Sequence, residues 1–265
     1  VGFPNLRCYG VITRTVADTA RCLDCTVGPE ERDPLSLPHP GISFEESIDL
    51  LGLAGTRFAW TVDLGIGDCD AGVAMVARHA AEALADATSL TNVGIDVVLP
   101  DPAEAWITLA GPDTHTTYDP FLPERAGDVN DLSRLMFELT KGLATPDYAR
   151  AALVRDSVVQ ALADVFERVD LLMMPTTPVP AFAAEGPMPT QVEGRPLGPL
   201  GGVLQTYLFN VSGHPAISVP AGMSGGAPVG LQIVGRRHSD LRVLAAARAL
   251  ERARPWPLLA PAATD

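Results

Sequence analysis

Few residues of this sequence have the types and spacing that acyl-transfer chemistry requires. A serine nucleophile needs a base within hydrogen-bond reach and a site that stabilises the oxyanion. Ser212 and His214 form the only Ser-x-His pair in the apolar stretch of residues 206–235, and no Gly-x-Ser-x-Gly run lies at a strand-to-helix turn. Because residues so close in sequence seldom meet as a catalytic pair, we do not expect this pair to be catalytic.

The sequence gives no better support for a metal or redox site than for a serine nucleophile. Cys22 and Cys25 have the C-x-x-C spacing of redox and zinc sites, but no second such pair and no H-E-x-x-H pattern accompanies them. Residues i and i+3 share one face of a helix, and a reduced cysteine packs as a small apolar residue. We therefore predict that this pair consists of buried free thiols, and we expect neither a metal nor a cofactor.

The stretch of residues 206–235 contains the elements that would position a site. It predicts a short helical turn at 206–209, a break at 210–215, and two buried strands at 216–220 and 229–234. The linker between the strands contains three glycines, which allow the positive φ angles of a chain reversal. Gln232 is the one polar residue of the second strand, and we expect its amide to bond the backbone of a neighbouring loop.

Three segments of this chain together resemble the amidase signature family. Residues 210–220 read Asn-x-x-Gly-x-Pro-Ala-Ile-Ser-Val-Pro and are followed by Gly-Leu-Gln-Ile-Val-Gly at 230–235. Residues 10–20 are similar to the family's Arg-Thr-Val-x-Asp segment, and residues 170–178 are similar to its Asp-x-Leu-x-x-Pro-Thr strand and turn. The resemblance implies an α/β fold, with a mixed sheet flanked by helices, in one amidase-like domain over residues 1–265.

The same resemblance implies hydrolysis of amide C–N bonds through a Ser–cis-Ser–Lys triad. In the family both serines precede the Arg-Thr-Val-x-Asp segment, and the lysine comes earlier still. This chain begins almost at that segment, contains no Ser-Ser dipeptide and has Lys141 as its only lysine. We therefore expect the carboxy-terminal portion of an amidase, without the catalytic half and inactive by itself. No residue of this chain is expected to be catalytic.

Site residues are assigned from the resemblance alone, and ordinary packing remains the alternative for all of them. The residues expected to line the substrate pocket are Thr176, Thr177, Gln205, Thr206 and Phe209. A structural network is expected to include Arg14, Asp18, Asn210, Gly213, Pro215 and Gln232. Arg14 and Asp18 are four residues apart and could face one another across one helical turn, as a surface ion pair if not as part of the network.

The remaining pattern predicts alternating strands and helices. Strands are expected at 56–61, 95–99 and 170–174. Helices are expected from Thr13 or Thr15 to 26, from Asp70 to 87, at 129–141 and 146–169, and from Ser239 or Asp240 to 254. The strand–helix–strand unit near residues 56–99 predicts a parallel crossover. The proline-rich residues 175–199 are expected to form a long irregular loop.

Composition narrows the classes of partner. The net charge is −13, and phosphates repel a broadly acidic surface, so nucleic acid is not expected as the main partner. No apolar run approaches the roughly 20 residues that span a bilayer, and free cysteines are typical of the cytoplasm. The expected partners are a small amide substrate, the absent amino-terminal half, or further copies of the chain. The alternatives are a non-catalytic scaffold and a subunit of a tRNA-dependent amidotransferase.

Overall fold

The computed structural model describes residues 6, 8–198 and 200–259, without the side chains of residues 131 and 132. The helices of this part of the chain are α1 (Val16–Thr26), α2 (Phe44–Ser47), α3 (Ala71–Thr88), α4 (Ala103–Tyr118), α5 (Asp131–Thr140), α6 (Thr145–Arg168), α7 (Leu204–Ser212) and α8 (Asp240–Ala253). The strands are β1 (Arg57–Trp60), β2 (Thr91–Asn92), β3 (Leu171–Pro175), β4 (Gln191–Val192), β5 (Arg195–Pro196), β6 (Ala216–Ser224) and β7 (Ala227–Gly235).

Five strands form one mixed sheet in the order β2-β1-β3-β7-β6. β1 is parallel to both β2 and β3, whereas β7 is antiparallel to β3 and β6. The register aligns Ala59, Leu172, Val234 and Ala216 across the sheet. This arrangement confirms the predicted fold class, a mixed sheet flanked by helices.

The central strand β3 is buried on both faces. Leu171 and Met173 pack with α3 and α8 on one side, and Leu172 and Met174 pack against helices α4, α6 and α7 on the other. None of these four side chains has exposed surface. A strand covered on both faces reads as a continuous apolar run, which is why residues 170–174 predicted it correctly.

A tight hairpin joins β6 to β7. Gly225 and Gly226 have φ angles of +56° and +84°, the conformation that favours glycine in a two-residue turn between antiparallel strands. The predicted chain reversal is therefore confirmed, with longer strands than expected. The Gly-x-Ser-x-Gly run of residues 222–226 lies in this strand-to-strand turn, so Ser224 does not occupy the strand-to-helix position of a nucleophile elbow.

The helices with clear start signals are confirmed. The Thr15 side chain accepts a hydrogen bond from the Asp18 amide at the start of α1, and Asp70 accepts one from the Val73 amide at the start of α3. These are the N-cap contacts that satisfy otherwise unpaired amides of a first helical turn. The hydroxyl of Ser239 instead donates to the carbonyl of Arg236, so α8 begins without a side-chain cap.

The expected strand at 95–99 is wrong. The parallel crossover exists, but α3 leads to β2 at Thr91–Asn92, and Gly94 then turns the chain with a φ of +65°. Ile95, Val97 and Leu99 alternate into the core as they would on a strand. The backbone of residues 95–99 does not pair with β1, which is only four residues long. The apolar alternation at these residues therefore indicates burial of every second side chain and not a strand of the sheet.

No element was predicted at helix α4, and α7 is longer than expected. α4 contains Gly111 and Pro112, which weaken a helical pattern. A Cβ at Gly111 would lie 2.6 Å from Cβ of Thr140 on α5, so glycine permits this close helix contact. The break predicted at 210–215 is wrong in its first half, because α7 continues through Asn210 to Ser212. Gly213 then ends it with a φ of +71°.

The cysteine prediction is half right. All four cysteines are free thiols, but Cys25 is exposed and Cys22 only half-buried, because α1 is a surface helix that buries just Val16 and Ala20 fully. Burial raises the pKa of the Cys69 thiol to about 12, which keeps it protonated and unreactive at neutral pH.

Replacing Leu172 by alanine tests the dependence of the fold on β3. We expect the free energy of unfolding to fall by about 2–5 kcal/mol, because the deletion leaves a cavity in a fully buried site. Urea unfolding of the chain measures it. Leu153→Ala is the matched control, since Leu153 is 68% exposed on α6. Equal losses in the two variants would contradict the central role of β3.

Candidate substrate-pocket face

The turn after β3 places Thr176 beside a serine that was not among the predicted site residues. Oγ1 of Thr176 lies 2.6 Å from Oγ of Ser218 on β6, and the Thr176 amide donates to the carbonyl of Gly230 at 2.9 Å. A Cβ at Gly230 would lie 2.6 Å from Oγ1 of Thr176 and 2.7 Å from Oγ of Ser218. Glycine therefore makes room for a hydroxyl pair on the surface of the sheet.

Strand periodicity places this pair on the same sheet face as Gln232. Ser218 is the register partner of Gln232, and Gln232 is the register partner of Met174 on β3. Ala216, Ser218 and Pro220, which alternate along β6, are all exposed. Period-two reasoning on residues 216–220 could have found Ser218, the one hydroxyl among those outward positions.

Gln232 joins this face to helix α7. Its Nε2 donates to the backbone carbonyl of Gln205 at 2.9 Å, and the Gln232 side chain is buried. The predicted backbone contact of Gln232 therefore exists, with the acceptor on a helix and not on a loop. The contact brings two predicted residues together, Gln232 of the structural set and Gln205 of the pocket set.

The interior side of α7 contains unsatisfied polar atoms. Gln205 is 1% exposed; its Nε2 donates to the carbonyl of Val62 at 3.5 Å, and its Oε1 has no partner among the described residues. The hydroxyl of Tyr207 likewise has no described partner, and burial raises the pKa of this phenol well above its usual value. Buried polar groups are normally paired, so such atoms mark the places in a fold where function competes with stability.

The other predicted pocket residues have local roles in the structure. The Thr177 hydroxyl donates to the carbonyl of Val179 and closes its own turn, and the Thr206 hydroxyl donates to the carbonyl of Val203 in the first turn of α7. Phe209 is buried in the core beside Leu208. The structure therefore does not bring all five predicted residues to one surface.

The observed contacts of Arg14 differ from the predicted ones. Helix α1 starts at Val16, so Arg14 precedes it, and the carboxylate of Asp18 accepts a hydrogen bond from the Thr15 hydroxyl at 2.7 Å. The predicted contact of Arg14 with Asp18 across a helical turn is wrong for this reason. The carbonyl of Arg14 instead accepts from Nε1 of Trp256, which ties the start of α1 to the segment after α8.

The remaining structural residues close the end of α7. Asn210 lies half-buried inside the helix, and the Gly213 amide donates to the carbonyl of Phe209 at 2.8 Å. The carbonyl of Pro215 accepts from the Gly235 amide at 3.0 Å, which continues the pairing between β6 and β7. This segment connects a helix to the edge strand of the sheet.

Ser212 and His214 are in contact, although they were not expected to form a catalytic pair. Nδ1 of His214 lies 3.0 Å from Oγ of Ser212, and the imidazole stacks on Phe166. Ser212 has no exposed surface, however, so a substrate carbonyl has no path to its hydroxyl. The second hydroxyl–imidazole contact of the described residues, Thr140 with His115, also involves a buried hydroxyl. Both contacts therefore serve packing.

The described residues hold no cluster of three or more His, Cys, Asp or Glu side chains suited to a metal ion. Within the same ranges, no helix has both the length and the apolar character needed to cross a membrane. The chemistry offered by the surface around Thr176 is hydrogen bonding by neutral hydroxyls.

Comparison with known proteins places this chain in a family. The amidase family profile matches residues 2–244. The chain is 35% identical to an acylamidase of Rhodococcus erythropolis over 96% of its own length and 54% of that protein. It is 31% identical to a glutamyl-tRNA(Gln) amidotransferase subunit of Myxococcus xanthus, over 92% of its own length and 54% of that protein.

Solved structures agree with these relatives. A bacterial aryl acylamidase of the amidase signature family superposes with a TM-score of 0.83 at 30% identity, over 93% of this chain and 53% of that one. The chain therefore belongs to the amidase family, which confirms the resemblance read from residues 10–20, 170–178 and 210–235. It spans about half the length of the curated relatives it matches.

Substitution of Gln232 by leucine tests the junction between the sheet and α7. We expect a loss of about 1–3 kcal/mol in the free energy of unfolding, because the buried acceptor at Gln205 loses its donor. Chemical denaturation provides the measurement. Gln160→Leu, at an exposed position of α6, is the matched control and should change stability by less than 0.5 kcal/mol or so. A Gln232→Leu variant as stable as this control would show that the contact contributes nothing.

The protonation of His214 gives the stability of the chain a defined pH dependence. Burial, and to a smaller extent the nearby Arg237 guanidinium, lower the pKa of His214 from 6.5 to about 4. The unfolded chain takes up this proton near pH 6.5 and the folded chain only near pH 4. The stabilisation is therefore complete above pH 6.5 and is lost as the pH falls from 6.5 to 4.

We expect the free energy of unfolding to fall less steeply across this window in His214→Gln than in the native chain. Denaturation at a series of pH values measures the two slopes. His79→Gln is the control, because His79 is exposed on α3 and its removal should leave the native slope. If the free energy of unfolding had the same dependence on pH in the native chain and in His214→Gln, that result would contradict a neutral, half-buried His214.

Proposed function

We propose that this chain is the carboxy-terminal, pocket-wall part of an amidase that hydrolyses amide C–N bonds. The observation that carries the proposal is the family match over residues 2–244 in a chain that spans 54% of its acylamidase relative. The nucleophile, the second serine and the lysine base belong to a portion of the protein outside this chain. Residues 1–265 then form one domain only together with that portion.

The chemistry of the described residues supports this division of labour. Each hydroxyl that contacts an imidazole is buried, and the exposed hydroxyl pair of Thr176 and Ser218 has no base in contact with it. Lys141, the only lysine, is exposed at the end of α5, distant in sequence from the pocket elements. A hydroxyl nucleophile without a base is weak at neutral pH.

The pocket face supplies binding in this proposal. The hydroxyls of Thr176 and Ser218 lie side by side at an exposed surface and offer hydrogen bonds to a polar amide. In this proposal Gln205, Thr206, Thr177 and Phe209 support the wall through their internal contacts and do not bind the substrate themselves. The triad would attack the carbonyl to form an acyl-enzyme, which water then releases.

In this proposal, the edge strand β6 indicates where the amino-terminal catalytic portion of the protein lies. β6 is the outermost strand beside β7, and its nine residues present an exposed face at Ala216, Ser218 and Pro220. A long edge strand of this kind pairs readily with further chain. We propose that the catalytic portion lies against β6, which would bring its nucleophile to the hydroxyl pair.

Kinetic assay with small aliphatic and aromatic amides tests the proposal. We expect no turnover by this chain alone, and turnover when it is joined behind the amino-terminal portion of the Rhodococcus erythropolis acylamidase. Ser218→Ala in the joined protein should raise KM more than it lowers kcat, because a binding contact is lost. Turnover by the isolated chain that disappears in Ser212→Ala or Ser218→Ala would overturn the proposal.

A second candidate is a subunit of a tRNA-dependent amidotransferase. The match to the Myxococcus xanthus amidotransferase subunit favours it, whereas the charge of −13 disfavours direct contact with tRNA. Incubation of the joined protein with tRNA separates the candidates. Amide turnover without salt-dependent tRNA binding supports the amidase, and the reverse pattern supports the amidotransferase.

A further inference from the structure

An arginine-rich cavity lies at the end of β3 opposite to Thr176. Its volume is about 280 Å³, and it is lined by Asp170, Arg236, Arg237, Ser239 and Arg242. Asp170 precedes the first residue of β3 and Thr176 follows the last one, so the cavity and the pocket face are separated by roughly 20 Å of extended chain. The cavity is therefore a different site, and its role is independent of the proposed function.

One carboxylate contacts several guanidinium groups at this cavity. Asp170 lies 3.3 Å from Arg236 and 3.7 Å from Arg242, which line the cavity with it, and 3.3 Å from Arg57, which does not line it. Burial raises the pKa of Asp170, but the hydrogen bonds and charge of Arg57, with the charge of Arg236, lower it below its usual value. Asp170 therefore stays ionised and neutralises one of these charges, which leaves the others in excess.

Arg237 adds a third arginine charge to the lining of the cavity, without a matching acid. It lines the cavity, is exposed, and makes no hydrogen bond or ion pair with any described residue. The nearest additional acid in sequence is Asp240, the first residue of α8. Even with Asp240 counted, positive charge exceeds negative charge at this site, although the whole chain carries −13. Such a local reversal of sign attracts anions.

The hydrogen-bond donors of the arginines are only partly used. Arg236 donates Nε and Nη2 to the carbonyl of Val169 at 3.3 and 3.1 Å, and its contact with Asp170 is no shorter. Charge-assisted bonds between a guanidinium and a carboxylate are typically about 2.7–2.9 Å long, so the three contacts to Asp170 are loose. Each guanidinium has five N–H donors in a planar fork that matches phosphate oxygens, and several remain for a ligand.

The N-terminus of α8 also contributes to the positive electrostatic potential of the cavity. The Ser239 hydroxyl donates to the carbonyl of Arg236 and leaves the first turn of this 14-residue helix without a side-chain cap. The partial positive charge of a helix N-terminus therefore adds to that of the guanidiniums. This contribution is secondary to the charges of the three arginines that line the cavity.

We propose that this cavity binds a phosphate group, either as the free ion or as a small phosphate ester. Two or three guanidiniums hold the phosphate oxygens, and Asp170 keeps the arginine side chains in position from below. The volume equals the share of roughly nine waters in the liquid, which leaves room for an organic substituent beside the phosphate.

Calorimetric titration of the chain tests this site, with inorganic phosphate and phenyl phosphate as the two probes at constant ionic strength in chloride. We expect one molecule of phosphate to bind, and at least about tenfold weaker binding in Arg237→Gln and in Arg242→Gln, because each loses charge-assisted hydrogen bonds. Arg78→Gln, which removes an exposed arginine of α3, is the matched control and should bind as the native chain does.

The two probes distinguish the sources of the phosphate group. Tighter binding of the ester identifies a phosphorylated small molecule as the ligand, and equal or tighter binding of the free ion identifies phosphate itself. Circular dichroism confirms the fold of each variant, and Arg237 is the safer position because no described residue depends on it for a bond. Absence of binding to the native chain, or equal affinities in Arg237→Gln, Arg242→Gln and Arg78→Gln, would overturn the proposal.

Discussion

Burial of β3 on both faces is the constraint on which the rest of the structure depends. Its parallel partner β1 and its antiparallel partner β7 fix the two sides of the strand, and helices cover the faces above and below. A strand held in this way cannot slip, because a shift of one residue would exchange its two apolar sets. Asp170 and Thr176 are thereby held at opposite ends of the strand, and each belongs to a separate polar site.

One hydrogen bond connects the sheet to α7. Gln232 is placed by its pairing with Met174, and its amide then holds the backbone of Gln205. The hydroxyls of Thr176 and Ser218 lie on the same face of the sheet but near the edge, where helices no longer cover it. The hydroxyl pair is therefore exposed on a sheet face whose interior part is covered by α7, as the proposed pocket wall would be. Family membership and this geometry both support the proposal that the chain is the pocket-wall part of an amidase.

Sequence reasoning succeeded where one local signal determined the structure. The apolar run at Leu171–Met174, the glycines at 225 and 226 and the cap at Asp70 each predicted an element that the structure confirms. It failed where tertiary contacts decided. The pattern assigned no helix to residues 103–118, where Gly111 and Pro112 weaken a helical signal, yet α4 forms there and packs on α5 and α6. Ile95 to Leu99 alternate like a strand, but they have no partner strand.

The candidate site was predictable only in part, for a related reason. Resemblance supplied Thr176 and Gln205. Gln232 makes a backbone contact as predicted, but its acceptor is the Gln205 carbonyl on a helix, and the side chains of Phe209 and Thr177 are used in packing and in a turn. The alternation of residues 216–220 indicates that Ser218 faces outward, but its contact with Thr176, 42 residues away in sequence and across the intervening strand β7, could not be read from that pattern. The arginine cavity was missed likewise, since Arg57 and Arg236 meet only through the pairing of three strands.

Reaction of this chain with a fluorophosphonate, which modifies activated serines, tests the central claim most directly. In the proposed division of labour, these residues shape and order a binding wall while the reactive groups belong to another part of the protein. Intact-mass spectrometry after the reaction should therefore show the unmodified mass. A single stoichiometric adduct, mapped by peptide analysis to a serine or threonine of this chain, would contradict that division.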